Sequence, residues 1–97
     1  MEKRYLETYE KCLSTLGCNS QILMCIEEMS ELTKELCKFY RQGEMNCSVE
    51  LKNHICEEIA DVQNMVDEMQ FIFGIEKVDE IRKQKIDRVE KRLKEEL

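Results

Sequence analysis

Residues 17–43 read GCNSQILMCIEEMSELTKELCKFYRQG, a stretch without proline that begins and ends with glycine. Its apolar side chains recur every three or four residues, the spacing that places side chains on one face of an α-helix. They are Ile22, Ile26, Met29, Leu32, Leu36, Phe39 and Tyr40. Because glycine readily adopts the backbone conformations that end helices, the stretch predicts one amphipathic helix, capped by Asn19 or Ser20 and ending near residue 42.

The rest of the chain divides in the same way, since Gly17, Gly43 and Gly74 are its only glycines and proline is absent. Apolar spacing predicts further helices over about residues 2–16, from an N-cap at Ser48 to about residue 73, and over residues 75–97. No stretch alternates as a strand does. The 97 residues are too few for two cores. We therefore predict an all-α, four-helix bundle-like single domain over residues 1–97, with a modest core that favours self-association.

Composition narrows the classes of function. The net charge of -6 argues against binding of nucleic acid polymers, which depends on Lys and Arg. Six cysteines are scattered along the helical pattern without a CxxC pair, which favours small apolar fillers in a reducing compartment. The N-terminus does not resemble a signal peptide, and no segment has the ~20 apolar residues of a membrane span. We expect a cytoplasmic protein without a membrane partner.

Two acidic motifs lie on the second and third predicted helices. One is Glu27-Glu28-Met29-Ser30-Glu31 and the other is Glu58-Ile59-Ala60-Asp61. Residues three apart lie on neighbouring helical turns, so each motif can direct two carboxylates towards one point. Mg²⁺ takes carboxylate oxygens, waters and substrate phosphates as ligands. Such spacing is also common on solvated helices, so the motifs alone do not predict a metal site.

Glu58 is set apart by its surroundings. It falls within the apolar arc of the third helix, with Asp61 at the edge of that arc, and an unpaired buried carboxylate is costly. No Lys or Arg occurs in residues 12–33 or 53–76 to neutralise either motif. An external cation is therefore favoured. Both motifs lie in the first half of their predicted helices, so we expect antiparallel neighbours to separate them unless the helices cross or another subunit contributes.

Other side chains are weaker candidates. Lys85, Arg88 and Arg92 share a face of the fourth helix, which fits either outer phosphates or a solvated face paired with nearby glutamates. His54 lies one turn before Glu58, although a lone histidine there is more often exposed or capping. Three aromatic residues are candidates for stacking on a base, or for the core: Tyr40, Phe71 and Phe73.

These motifs, in the order EExxE then ExxD, resemble those of the MazG-like branch of the all-α nucleoside triphosphate pyrophosphohydrolases. The similarity extends over the blocks that begin at Gln21 and at Glu57 and over Lys85-Ile-Asp-Arg88, together about residues 20–92. Asp87 departs from many relatives, in which a Lys and an Asn often occur together.

The resemblance implies Mg²⁺-dependent cleavage of an NTP or dNTP to the monophosphate and pyrophosphate by a homodimer or homotetramer, with Mn²⁺ as a possible substitute. Glu28, Glu31, Glu58 and Asp61 would be the metal ligands. Glu27 would be the catalytic carboxylate that orients the metal's water. Gln21, Lys85 and Arg88 would bind the substrate.

Two alternatives belong to other classes. One is a non-catalytic helical module that binds nucleotide, metal or a partner helix on a degenerate version of this scaffold. The other is a di-iron carboxylate bundle, which requires paired Glu-x-x-His motifs that one histidine does not supply. No Ser/His/Asp or Cys/His arrangement is evident, so a covalent intermediate is not expected.

Overall fold

The computed structural model describes residues 1–96, apart from the side chain of Glu44. Its α-helices are α1 (Lys3–Leu16), α2 (Cys18–Gln42), α3 (Val49–Phe73) and α4 (Ile75–Glu96), with one 3₁₀ turn at Glu44–Asn46. The all-α prediction is confirmed, and no strand occurs among the described residues. The predicted helix limits agree to within about two residues, although the end predicted at Leu97 lies outside the described part.

The three glycines separate the helices as predicted, and all have positive φ. Gly17 is the only residue between α1 and α2, and its N–H donates to the carbonyl of Leu13. The predicted cap of α2 by Asn19 or Ser20 is wrong. Gly17 turns the chain so tightly that α2 already begins at Cys18, which leaves both residues inside the helix.

The start of α3 follows the prediction. Ser48 is the N-cap, with an extended backbone at φ -72° and ψ 156°. Its hydroxyl oxygen accepts a hydrogen bond of 3.1 Å from the N–H of Leu51. A side-chain acceptor at this position satisfies one of the amides that have no partner inside the first turn. Ser48 therefore fixes where α3 begins relative to the end of α2.

Helices α2 and α3 form the main packed pair, and α1 lies against both. The short connection over residues 43–48 makes α2 and α3 antiparallel neighbours of 25 residues each. The core is small and unusually polar. Its buried apolar residues are Tyr9, Cys25 and Leu51, and its buried polar residues are Gln21, Glu35, Glu68 and Gln70.

Helix α4 packs differently from the other three. Among the described residues its backbone comes close to α3 alone, although Asp79 and Arg82 also share a pocket with Tyr5 of α1. From Asp79 to Glu96 every residue is exposed. The Gln70 side-chain amide donates to the Asp79 carboxylate at 3.0 Å and ties the start of α4 to α3. The chain measures 45 × 37 × 22 Å. Within one chain, α4 therefore extends from the packed helices.

Much of the predicted apolar stripe on α2 is not covered. Ile26, Met29, Leu36 and Tyr40 are exposed, with Tyr40 at 88%. Of the six free cysteines only Cys25 is buried, so the interpretation of cysteines as core fillers holds for Cys25. None of the described helices is long and apolar enough to cross a membrane.

Candidate metal centre

Three carboxylates from two helices meet at the middle of the α2–α3 pair. Glu28 comes from α2, Glu58 and Asp61 come from α3, and one oxygen of each lies within 4.8 Å of the other two. Glu28 is the eleventh residue of α2 and Glu58 the tenth of α3, so both lie near mid-length of 25-residue helices. The antiparallel arrangement therefore does not separate the two motifs, and no second subunit is needed to bring them together. A single chain brings them together.

Glu58 is the most constrained member of this cluster. Its side chain is half-buried, and its Oε2 is buried without a hydrogen-bond partner. Burial raises the pKa of its carboxyl group, and the negative charges of Glu28, Asp61, Glu31 and Glu35 raise it further. No Lys or Arg among the described residues forms an ion pair with Glu28, Glu58 or Asp61. The cluster thus lacks an internal cation.

The other two acids of the EExxE motif lie at the border of the cluster. Glu31 is exposed and is not one of the three residues whose oxygens converge, although its charge acts on Glu58. The helical spacing of α2 predicts this exposure, because Glu31 lies farther round towards the polar side of the helix than Glu28, which flanks the apolar stripe. Glu27 is exposed beside Glu28. Its assignment as the catalytic carboxylate stays a prediction, as does metal ligation by Glu31.

Gln21 lies in the interior instead of at an open surface. It is 2% exposed, as is Glu68. With its amide nitrogen oriented towards Glu68, Gln21 donates to the two carboxylate oxygens at 2.8 and 2.9 Å. Burial raises the pKa of Glu68. In this arrangement the Gln21 amide is occupied by a buried carboxylate, which does not favour its assignment to substrate binding.

Lys85 and Arg88 do not reach the carboxylate cluster within one chain. Both are exposed on α4, which approaches α3 but not α2. Lys85 borders an open groove with Arg82, Ile86 and Val89. The structure therefore separates the predicted phosphate contacts from the predicted metal ligands.

The histidine and the aromatic candidates lie outside the carboxylate cluster. His54 is exposed and outside the cluster, so it adds no ligand there. Tyr40 and Phe73 are exposed and Phe71 is half-buried, so the core interpretation does not hold for the first two. The di-iron alternative loses support, because no histidine joins the three carboxylates.

Two buried glutamates are not among the site residues predicted from the sequence. Glu35 follows Glu31 by one turn of α2, and Glu68 lies in the second half of α3. A signal for both was present in the spacing. Each glutamate follows an apolar residue by three positions and precedes another by four, which places it on an apolar helix face. The flanking residues are Leu32 and Phe39 for Glu35, and Met65 and Ile72 for Glu68. The same spacing singled out Glu58.

The donor set fits a hard divalent cation. All three converging ligands are carboxylates, which suit Mg²⁺ or Mn²⁺, whereas zinc sites typically contain Cys or His. The buried Glu58 Oε2 has no protein donor, and a cation would satisfy it. Like charges held this close also favour an external cation.

Comparisons with models of known families, with curated proteins and with solved structures give no match for this chain.

Proposed function

We propose that this chain is a magnesium-dependent nucleoside triphosphate pyrophosphohydrolase, which converts an NTP or dNTP and water to the monophosphate and pyrophosphate. The observation that carries the proposal is the convergence of Glu28, Glu58 and Asp61 within 4.8 Å without an internal cation. The MazG-like motif order supports the same function. Mn²⁺ would replace Mg²⁺ at an all-carboxylate site.

Glu28, Glu58 and Asp61 would hold the metal, and Glu31 would join them after a change of rotamer at its exposed position. When bound, Mg²⁺ neutralises phosphate oxygens and lowers the pKa of bound water. Glu27 is next to Glu28 in sequence but points to another side of α2, about 100° away. From there its exposed carboxylate would accept the proton of the attacking water, while the anhydride bond between the α- and β-phosphates breaks. The leaving group would be pyrophosphate for attack on the α-phosphorus, or the nucleoside monophosphate for attack on the β-phosphorus, and either route gives the same two products.

The substrate's phosphates would also need cationic contacts. Seven residues of α4 between Arg82 and Lys94 are Lys or Arg, and Lys85 and Arg88 are among them. Since α4 does not approach α2 in its own chain, a homodimer or homotetramer would have to supply these residues from α4 of another copy. The exposed apolar residues of α2 support such assembly. The six free thiols suit a reducing cytoplasm.

A non-catalytic helical module is the second candidate, and one observation favours it. The basic residues of α4 lie away from the carboxylates, while α2 presents Ile26, Leu36 and Tyr40 as a surface on which a partner helix would pack. This candidate predicts that Mg²⁺ does not change the protein's thermal stability and that no nucleotide is cleaved.

The test is to incubate the protein with a panel of NTPs and dNTPs, with and without Mg²⁺, and to measure monophosphate and pyrophosphate. We expect Mg²⁺-dependent release of both products in equal amounts. Glu58→Gln should abolish it. Glu57→Gln is the matched control, because Glu57 is exposed next to Glu58 and outside the cluster. No product from any nucleotide in the panel would favour the non-catalytic module.

A further inference from the structure

Glu35 is a buried carboxylate that the sequence motif does not include. It is 8% exposed and lies on α2, four residues after Glu31 and seven after Glu28. Residues spaced by three, four and seven positions share one face of a helix. Glu28, Glu31 and Glu35 therefore form one line of acids along α2, and the line ends inside the protein.

The two oxygens of Glu35 have different surroundings. Oε1 accepts a hydrogen bond from the Lys38 ammonium at 3.1 Å. Oε2 is buried and has no hydrogen-bond partner. Among the described residues, the only other buried side-chain oxygen or nitrogen in this situation is Oε2 of Glu58. Lys38 thus satisfies Oε1 of Glu35, whereas Oε2 has no hydrogen-bond donor.

The charge of Glu35 acts on Glu58. The charge of Glu35 is one of the four carboxylate charges that disfavour ionisation of Glu58. An ion pair with Lys38 alone does not explain the position of Glu35 Oε2. A buried acceptor without a donor costs free energy, and the nearby carboxylates add repulsion. A hydrated divalent cation between the helices would supply the missing donor, since metal-bound water donates strongly to carboxylates.

We propose that Glu35 is a positioning residue of the cation centre: Glu28, Glu58 and Asp61 would hold Mg²⁺, and the unsatisfied Oε2 of Glu35 would accept a hydrogen bond from a water bound to that ion. Lys38 opposes this role by placing a positive charge beside the same carboxylate. The inference rests on the proposed metal centre. It adds a residue that sets the affinity of that centre for the cation.

The test is calorimetric titration of the free protein with Mg²⁺, without nucleotide, at low ionic strength. Glu35→Gln removes a negative charge and replaces one of the two acceptor oxygens by an amide group that only donates, so Mg²⁺ should bind about tenfold more weakly, as expected for loss of a residue that supports metal ligands. Lys38→Met removes the opposing charge, so Mg²⁺ should bind roughly three- to tenfold more tightly. The changes in opposite directions are the signature of the proposed role.

Two controls separate this role from general charge effects. Lys34→Met removes an exposed positive charge one turn before Lys38, and Glu7→Gln removes an exposed negative charge on α1. Both should leave the Mg²⁺ affinity within about twofold of the wild type. The melting temperature without metal, measured for each variant, shows that it is folded.

The outcomes distinguish the two proposals. If Glu58→Gln abolishes Mg²⁺ binding but Glu35→Gln and Lys38→Met leave it unchanged, Glu35 forms only a structural ion pair and this inference is overturned. If Glu35→Gln fails to fold, the tighter binding expected for Lys38→Met still decides the matter. If Glu58→Gln binds Mg²⁺ as the wild type does, the proposed metal centre itself fails.

Discussion

Two glutamates of α3 are enclosed by the α2–α3 packing in different ways. Glu58 and Glu68 are both on α3, and burial raises the pKa of each. Their environments nevertheless differ. Glu58 faces other acids and has an oxygen without a donor, whereas Glu68 is held by the amide of Gln21. The first arrangement leaves a buried oxygen without a hydrogen-bond donor, whereas the second is complete within the fold.

Glu58→Gln should separate stability from metal binding. Without Mg²⁺ the variant should melt at a higher temperature than the wild type, because the substitution removes repulsion from Glu28 and Asp61. With Mg²⁺ at 100 times its Kd, the wild type should gain about 2.7 kcal/mol and the variant should gain nothing. Thermal melts with and without Mg²⁺ measure both effects. Unfolding of the variant without metal would instead identify Glu58 as structural.

Glu68→Gln should change how stability depends on pH. Because the folded-state pKa of Glu68 is above its ordinary value of 4.5, the folded chain binds more protons than the unfolded chain between the two pKa values. The free energy of unfolding therefore falls as the pH rises through that interval, by about 1.4 kcal/mol for each pH unit, and remains lower above it. The neighbouring Tyr9 and Cys25 titrate at higher pH, since burial raises the pKa of both.

The variant should be more stable than the wild type at pH 7 and should have a flatter profile from pH 4.5 upward. Urea unfolding from pH 4 to pH 8 measures this, with the exposed Glu57→Gln as the control. Loss of more than about 1 kcal/mol of stability in Glu68→Gln at pH 7 would contradict the prediction, because it would show that the ionised carboxylate is favourable in its bond with Gln21.

At the scale of elements, helix ends depend on single residues. Ser48→Ala should lower the free energy of unfolding by about 1 kcal/mol, since the N–H of Leu51 would lose its side-chain acceptor. Ser30→Ala is the matched control, because the exposed Ser30 hydroxyl bonds only to the carbonyl of Ile26 within α2. That substitution should be neutral or slightly stabilising by helix propensity. Denaturant melts of both variants would test the difference, and equal effects would contradict it.

The sequence allowed prediction of the helices because glycine spacing and apolar periodicity are local signals. It also allowed prediction of Glu58 as a constrained acid, since the helical wheel placed it among apolar residues. Which residues of α2 lie opposite which residues of α3 is not a local property of the sequence. It depends on the antiparallel pairing, and this is why the sequence left open whether the two motifs meet.

Glu35, Glu68 and the burial of Gln21 could not be obtained from motifs. Each depends on which side chain of a second helix lies opposite. Glu35 has the same apolar spacing as Glu58 but also a lysine three residues later, which suggests an ordinary exposed pair. Only the packed α2–α3 pair shows that one of its oxygens is enclosed.

At the scale of the whole molecule, charge is divided unevenly. Helix α4 contains eight of the 15 basic residues and is exposed from Asp79 onward, whereas the carboxylate cluster lies between α2 and α3. In one chain these two regions do not meet. A second copy that placed its α4 near the α2–α3 pair would bring basic residues close to the carboxylates. It would also cover exposed apolar surface. Charge attraction and apolar burial would then both stabilise the assembly.

Self-association should therefore depend on the outward face of α2. Its exposed residues Ile26, Met29, Thr33, Leu36 and Tyr40 alternate at spacings of three and four, which is the pattern of a helix-packing seam. Burial of one leucine side chain is worth about 1.5–3 kcal/mol. Because Leu36 is 46% exposed in the single chain, the interface would cover about half of it. In a symmetric dimer with Leu36 in both halves of the interface, Leu36→Gln should therefore weaken association about 10- to 100-fold.

Sedimentation equilibrium over a range of protein concentrations measures this dissociation constant. The wild type should be a dimer or tetramer at micromolar concentration, and Lys34→Gln, an exposed substitution off the seam, should not change its association. Leu36 is already 46% exposed in the single chain, so Leu36→Gln should leave the helical content and melting of the monomer nearly unchanged. A wild type that stays monomeric at all concentrations would leave the α2 seam free for a different protein, and Lys85 and Arg88 would then have no route to the carboxylates of α2 and α3.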